Sequence, residues 1–343
     1  MSKQLEIKEF LILKETLPVI DVRTPKEFEQ AHIGGAYNIP LFNNDERAIV
    51  GTIYKKEGKE KSVFTGLNIV GKRLTQYIRK VQNITNSKEI LLYCWRGGMR
   101  SSSLAWLLET IDFKSYILKG GYQSYRRFLH NSLAKKSNIV ILGGMTGSGK
   151  TEILTELQNL QEQVIDLEAL ANHKGSAFGS IGENKQPSTE QFENYIFEKW
   201  HKFDLSKPIW IEDESHLVGK DFISEELWTQ MRVANVIKIE VSDEQRIKRL
   251  VKNYTVEDKE ALINSIEKIT KKLGGQNAKT AITEVENNNF DKAVSIILKY
   301  YDKAYLYGLS KRKDENVHSI KLESENPVIN AKKVKEYLDN KFE

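Results

Sequence analysis

The chain has 343 residues, of which 40% are hydrophobic and 29% charged, with a formal net charge of +5. That length exceeds one compact core and predicts two domains, and the balance excludes a disordered chain. A single cysteine excludes an internal disulfide and a thiolate zinc cluster. No apolar run is long enough to span a bilayer, and the N-terminal stretch MSKQLEIKEFLILKE has acidic residues and no cleavage-site pattern. A cytoplasmic protein with no membrane partner is expected.

The first element to read as buried strand, turn and helix is EILLYC (89–94), WRGGMR (95–100) and SSSLAWLLETI (101–111). Cys94 ends the strand. The helix after it points its N-terminus back at the thiol, a setting that favours a thiolate and binds anions. Arg96 and Arg100 add charge of the same sign. Gly97 and Gly98 let backbone N–H groups converge on one point. Trp95, Gly97, Gly98, Met99 and Ser101 thus line an anion cradle, with Cys94, Arg96 and Arg100 as its catalytic candidates. The spacing from Cys94 to Arg100 is also that of Cys-dependent phosphatases. The loop alone therefore leaves two chemistries open, chalcogen transfer and phosphoester hydrolysis.

Upstream, VIDVRTPKEFEQAHIGGAYNIPL (19–41) resembles the rhodanese signature. The resemblance implies that Asp21, Val22 and Arg23, with the segments 32–36 and 38–40, frame the active loop. It covers about the first 130 residues and implies a fold without choosing a reaction. The loop has one residue more than the common sulfurtransferase form, which leaves room for an anion larger than one sulfur atom.

The second strand, turn and helix is NIVILGG (138–144), MTGSGK (145–150) and TEILTELQNL (151–160). Gly144, Thr146, Gly147, Ser148, Gly149, Lys150 and Thr151 lie within a complete GxxxxGK[ST] motif in the strand-to-helix context that it requires. Its N–H groups would cradle a diphosphate, Lys150 would supply charge and Thr151 would hold Mg²⁺. The motif specifies a diphosphate, not a base, and no NKxD-type segment is present. The domain boundary is placed at 136/137, giving domains 1–136 and 137–343.

Further along, DLEALANHKGSAFGSIG (166–182) reads as a lid or substrate loop, with His173 and Lys174 at its middle. The apolar run of PIWIEDES (208–215) ends at Glu212, Asp213 and Glu214, a strand tip facing the phosphates; the sequence leaves open which of the three points inward, and Asp213 with Thr151 is the candidate Mg²⁺ pair. DEQRIKRLVKNY (243–254) puts Arg246, Arg249 and Lys252 on adjacent helical turns, equally readable as a solvated basic face. The stretch 257–313 is predicted mostly helical, with Leu262, Ile266, Ile269 and Leu273 as apolar positions. Strands alternating with helices in both halves give an α/β class: a rhodanese-like α/β domain, then a P-loop NTPase-like α/β domain with a helical C-terminal region. Residues 1–136 carry +10 and the remainder −5, so a polyanion is expected to dock mainly on the first domain.

The segments CWRGGMRSSS, GGMTGSGKT, LEALANHKGSAFG and WIEDES, in that order, are similar to the tRNA 2-selenouridine synthase family over nearly the whole chain. The resemblance implies replacement of sulfur by selenium at the wobble 2-thiouridine of tRNA. Selenophosphate would be the donor, and an S-geranyl intermediate would be made from geranyl diphosphate. It implies tRNA, through its anticodon region, as partner, and Cys94 as the residue that carries selenium or attacks on its behalf; no tightly bound cofactor is expected, and Mg²⁺ is the ion that the P-loop could take. The other chemistry left open is a rhodanese-fold Cys-dependent phosphatase with an attached P-loop NTPase domain.

Overall fold

The computed structural model describes residues 2–175, 183–252 and 259–342. The chain divides into two compact units, Met1–Ser132 and Leu133–Glu343. The division falls near the end of the helix Gly121–Leu133.

The first unit runs β1 (Lys3–Leu5), α1 (Ile7–Lys14), β2 (Val19–Asp21), α2 (Pro25–Gln30), β3 (Ala36–Asn38), α3 (Asn44–Glu57), α4 (Lys59–Val70), α5 (Leu74–Ile84), β4 (Glu89–Tyr93), α6 (Met99–Glu109), β5 (Lys114–Leu118) and α7 (Gly121–Leu133). Its five strands form one sheet in the order β1-β5-β4-β2-β3, and all pair in parallel. The central strand β4 is apolar on both faces, as a strand covered by helices on two sides must be. Ile20, Ile90, Leu92, Leu104, Leu108 and Ile117 share one core. The helices start where their caps say: Thr24 and Glu27 form a capping box behind Pro25, and Asn43 and Glu46 form another at α3. Because the sheet is parallel, the loops after β2, β3, β4 and β5 all emerge at one edge, where a ligand site is expected.

The second unit runs β6 (Ile139–Gly144), α8 (Lys150–Asn159), β7 (Gln163–Ile165), α9 (Leu167–Ala171), α10 (Thr189–Trp200), β8 (Ile209–Glu212), β9 (Leu217–Val218), β10 (Asp221–Phe222), α11 (Glu225–Val233), β11 (Asn235–Glu240), α12 (Asp243–Lys252), α13 (Lys259–Leu273), α14 (Gly275–Glu286), α15 (Phe290–Leu309), β12 (Val317–Lys321) and α16 (Pro327–Phe342). The main sheet has the order β12-β11-β6-β8-β7 and is again wholly parallel. Val140, Leu142, Leu154, Leu157, Trp210 and Ile237 fill its core. Helices α13, α14 and α15 bury a separate core that includes Leu262, Ile266, Ile269 and Leu273, the four positions picked out by helical spacing. Both halves are thus α/β. Among the described residues no helix is long and apolar enough to cross a membrane.

Candidate functional site

Cys94 stands one residue past β4 and is 3% exposed. Its sulfur accepts hydrogen bonds from the backbone N–H of Gly98 and the hydroxyl of Ser101, both at 3.3 Å. Gly98 is the N-cap of α6 and Ser101 lies in its first turn, so the helix start is aimed at the sulfur. Donors converging on one atom stabilise negative charge there. The loop curls by virtue of two glycines at positive φ, Gly97 at +62° and Gly121 at +58°. A methyl on Gly97 would run into the Leu118 carbonyl, and one on Gly121 into the Cys94 carbonyl. The start of α7 holds the loop from behind, the N–H groups of Tyr122 and Gln123 donating to the carbonyls of Cys94 (2.8 Å) and Trp95 (3.1 Å).

The two arginines of the loop are held by side chains far away in sequence. Arg100 pairs with Glu27 at 3.0 Å, and Arg96 donates to Gln123 at 3.2 Å. Burial works against the charge on Glu27, but Arg100 and the Thr24 N–H outweigh it and hold this carboxyl below its ordinary range. Glu27 thus occupies a guanidinium N–H that a phosphatase would turn towards its substrate. Trp95 is half-buried and tilts against Tyr122, ring centres 5.8 Å apart. Arg23, fully buried, is paired with Asp21 and lies 4.0 Å from the centre of the Tyr122 ring. Met99 is exposed beside the cradle.

In the second unit the loop between β6 and α8 carries positive φ at Gly144, Gly147 and Gly149. Lys150 lies across this loop, its ammonium donating to the Gly144 carbonyl at 3.0 Å. The Ser148 hydroxyl is buried and has no hydrogen-bond partner among the described residues, so a polar group of the loop is left for a ligand to satisfy. Helix α12 braces the loop: Arg246 donates to the Thr146 carbonyl at 2.9 Å and Arg249 to that of Gly147 at 2.9 Å. Arg246 is buried and also paired with Asp302. The basic stripe of 243–254 is therefore not one solvated face, and Asn253 and Tyr254 lie outside the described residues.

The pairing of Thr151 with Asp213 is corrected. The Thr151 hydroxyl faces the carboxylates of Glu212, at 3.4 Å, and Glu168, at 3.3 Å. Asp213 is instead paired with Arg312 at 2.7 Å. Side chains alternate across a strand: Glu212 falls on the face of β8 that carries Trp210, in the core with α8, and Asp213 turns the other way. Glu212 is wholly buried, and its second oxygen accepts the Glu168 N–H at 3.1 Å. Burial and then the Glu168 charge push the Glu212 carboxyl well above its ordinary range. The same two causes push Glu214 up to about 8, against the pull of Lys150. Burial also raises Glu168. Thr151, Glu168 and Glu212 are hard oxygen donors of the kind Mg²⁺ takes alongside substrate phosphates. Among the described residues no group of three or more His, Cys, Asp or Glu is arranged to hold a metal alone.

His173 follows α9, its N–H donating to the Glu168 carbonyl at 3.0 Å, and burial lowers its pKa. Lys174 pairs with Glu183 at 2.9 Å. Residues 176–182 of the expected lid lie outside the described residues. Two residues escaped the sequence reading. Glu168 could have been found from the parallel sheet, since the segment after β7 emerges beside the phosphate loop. Glu27 carried only a helix-capping signal, and nothing local ties it to Arg100.

A family model described as "Rhodanese-like domain" matches residues 5–128, and one described as "tRNA 2-selenouridine synthase AAA domain" matches residues 137–338. The tRNA 2-selenouridine synthase of Nitrosomonas europaea is 32% identical, the match covering 86% of this chain and 90% of that protein. The protein of the same name from Shewanella frigidimarina is 34% identical over 88% of this chain and 91% of its own. Among solved structures, the N-terminal domain of a Clostridium difficile 630 protein is 40% identical, with a TM-score of 0.35 over 37% of this chain and 98% of that one.

Proposed function

The chain belongs to the tRNA 2-selenouridine synthase family, and from that premise we propose that it acts on tRNA in the cytoplasm. It replaces sulfur by selenium at a wobble 2-thiouridine, with selenophosphate as donor and S-geranyl-2-thiouridine as intermediate. The sulfur of the base attacks C1 of geranyl diphosphate, the C–O bond breaks, and diphosphate leaves. The alkylated sulfur is now part of a good leaving group. The selenium of selenophosphate adds at C2, geranyl thiol departs, and water cleaves the Se–P bond to release phosphate and leave 2-selenouridine. The observation that carries this reading is the presence, in one chain, of two anion sites of different character: donors converging on Cys94 and a complete phosphate loop backed by Lys150.

The phosphate loop takes geranyl diphosphate in this reading. Its N–H groups and Lys150 bind the diphosphate and stabilise the charge that develops as it leaves. Ser148 supplies a hydroxyl with no partner among the described residues. Thr151, Glu212 and Glu168 would hold Mg²⁺, which would neutralise the leaving group. The Cys94 cradle takes the selenium–phosphate anion, and half-buried Trp95, next to Cys94 in the chain, offers an aromatic surface for an unstacked base. Occupation of Arg100 by Glu27 weighs against the phosphatase reading.

The test is mass spectrometry of nucleosides from tRNA bearing 2-thiouridine, incubated with the protein, geranyl diphosphate and selenophosphate. Geranyl diphosphate alone should give S-geranyl-2-thiouridine, and both reagents together 2-selenouridine. Selenation that proceeds equally well without geranyl diphosphate would overturn the assigned intermediate.

A further inference from the structure

The second unit carries −5 overall, yet its charge is divided within it. Residues 259–313 carry +5, leaving −10 on the rest. That basic stretch is the α13–α15 bundle with its own core. The lysines Lys268, Lys271, Lys272, Lys299, Lys303 and Lys311 are all exposed.

Helix α15 presents two faces. Residues 299, 303, 306, 307 and 310 fall on one side at helical spacing, while 294, 298, 301 and 305 fall on the other. The second side is turned inward: Val294 and Leu298 are buried, and the Tyr305 hydroxyl closes over Gly143, while Ala293 and Ile297 enter the bundle core. Asp302, between the faces, pairs with Arg246, which in turn braces Thr146. The first side is open. Tyr307 is 65% exposed and Leu306 is 45% exposed, and the Lys311 ammonium lies 4.3 Å from the centre of the Tyr307 ring. Cations interleaved with an exposed aromatic ring are the pattern of nucleic-acid surfaces, where phosphates and base faces are contacted together.

We infer that this open face of α15, with the lysines of α13, is an RNA-docking surface that brings the tRNA to the phosphate loop. The inference rests on the proposed function. If geranyl diphosphate is held by the phosphate loop, the thiouridine sulfur must reach C1 of that molecule, so the tRNA has to lie against this unit. The remainder of the unit, at −10, would repel the RNA backbone, whereas the bundle, at +5, would attract it; in the basic stretch of α12, Arg246 and Arg249 are already engaged by phosphate-loop carbonyls.

The experiment measures binding of 2-thiouridine-bearing tRNA to the full-length protein across a salt series. Three proteins are compared: wild type, Lys303→Glu with Lys311→Glu, and Lys332→Glu with Lys333→Glu, two exposed α16 lysines outside the bundle. The bundle pair should lose on the order of tenfold in affinity and flatten the log–log salt slope by roughly 0.7–0.9 per lost contact. Its melting temperature and its binding of geranyl diphosphate should stay at wild-type values, and the α16 pair should bind tRNA nearly as wild type does. Wild-type affinity in the bundle pair, equal losses in both pairs, or a change in self-association with tRNA binding intact would overturn the inference and leave the functional reading standing. Absence of salt-sensitive tRNA binding by the wild-type protein would overturn that reading itself.

Discussion

The two sites share one backbone plan and differ in electrostatics. Each is a parallel strand, a glycine-rich turn and a helix start. At Cys94, donors converge on one sulfur, and the carboxylate that reaches the loop, Glu27, is paired with Arg100. At the phosphate loop, Lys150 shares its surroundings with Glu168, Glu212 and Glu214, whose carboxyls are pushed upward by burial and, at Glu212 and Glu214, by the Glu168 charge. The first arrangement suits an anion alone. The second suits an anion that arrives with a cation, because crowded carboxylates are relieved when positive charge enters. The strand–turn–helix plan therefore makes an anion site, and residues brought in from elsewhere select which anion.

The sharpest separation of the sites comes from removing the thiol. Cys94→Ser should abolish 2-selenouridine formation while S-geranyl-2-thiouridine continues to accumulate. Nucleoside mass spectrometry reads both products, and full selenation by the serine variant would remove Cys94 from the mechanism. Next is Lys150→Ala, which should cost geranyl transfer roughly 2–4 kcal/mol of transition-state stabilisation. Selenation of tRNA supplied already geranylated should change far less. Equal losses in the two half-reactions would mean that the phosphate loop serves closure or tRNA binding instead.

A smaller effect is expected from the first unit's surface. Arg126 and Arg127 lie on α7 in the basic half, and Arg126→Glu with Arg127→Glu should weaken tRNA binding and its salt dependence together. Geranyl diphosphate binding should be untouched. Unchanged tRNA affinity in this pair, alongside a loss in the bundle pair, would move the main docking surface to the second unit.

The smallest effect is a stability slope. Glu214 is raised from 4.5 to about 8, so the folded state holds its proton more tightly than the unfolded chain does. The stability this contributes is fully present below about pH 4.5 and is lost as pH rises through about 8. In the absence of divalent cations the melting temperature should therefore fall over that window, and Glu214→Gln should flatten the fall. A slope identical in the variant would place the proton elsewhere in the cluster.

Much of this was legible in the chain. Short apolar strands, glycine turns and capping residues act within a few positions, so the sequence alone placed both strand–turn–helix units, the α/β class, the helical stretch after 257 and the cradle around Cys94. Gly97 and Gly121 combine positive φ with a backbone carbonyl where a Cβ would stand, a position only glycine fits. Even the small errors were local: α6 begins at Met99 rather than Ser101, because the cradle glycine also caps the helix.

What only the tertiary structure decided is which charges meet. Glu27 reaches Arg100 across 73 positions, Arg246 reaches Asp302 across 56, and Glu212 reaches Thr151 across 61. Strand alternation makes Glu212 and Asp213 face opposite ways, but it does not say which of them looks towards α8. Packing settled that, by burying Trp210 on one face and turning Asp213 towards Arg312 on the other. Local backbone rules act over one or two turns of chain, whereas a buried charge must find its partner wherever the fold brings one within hydrogen-bonding reach.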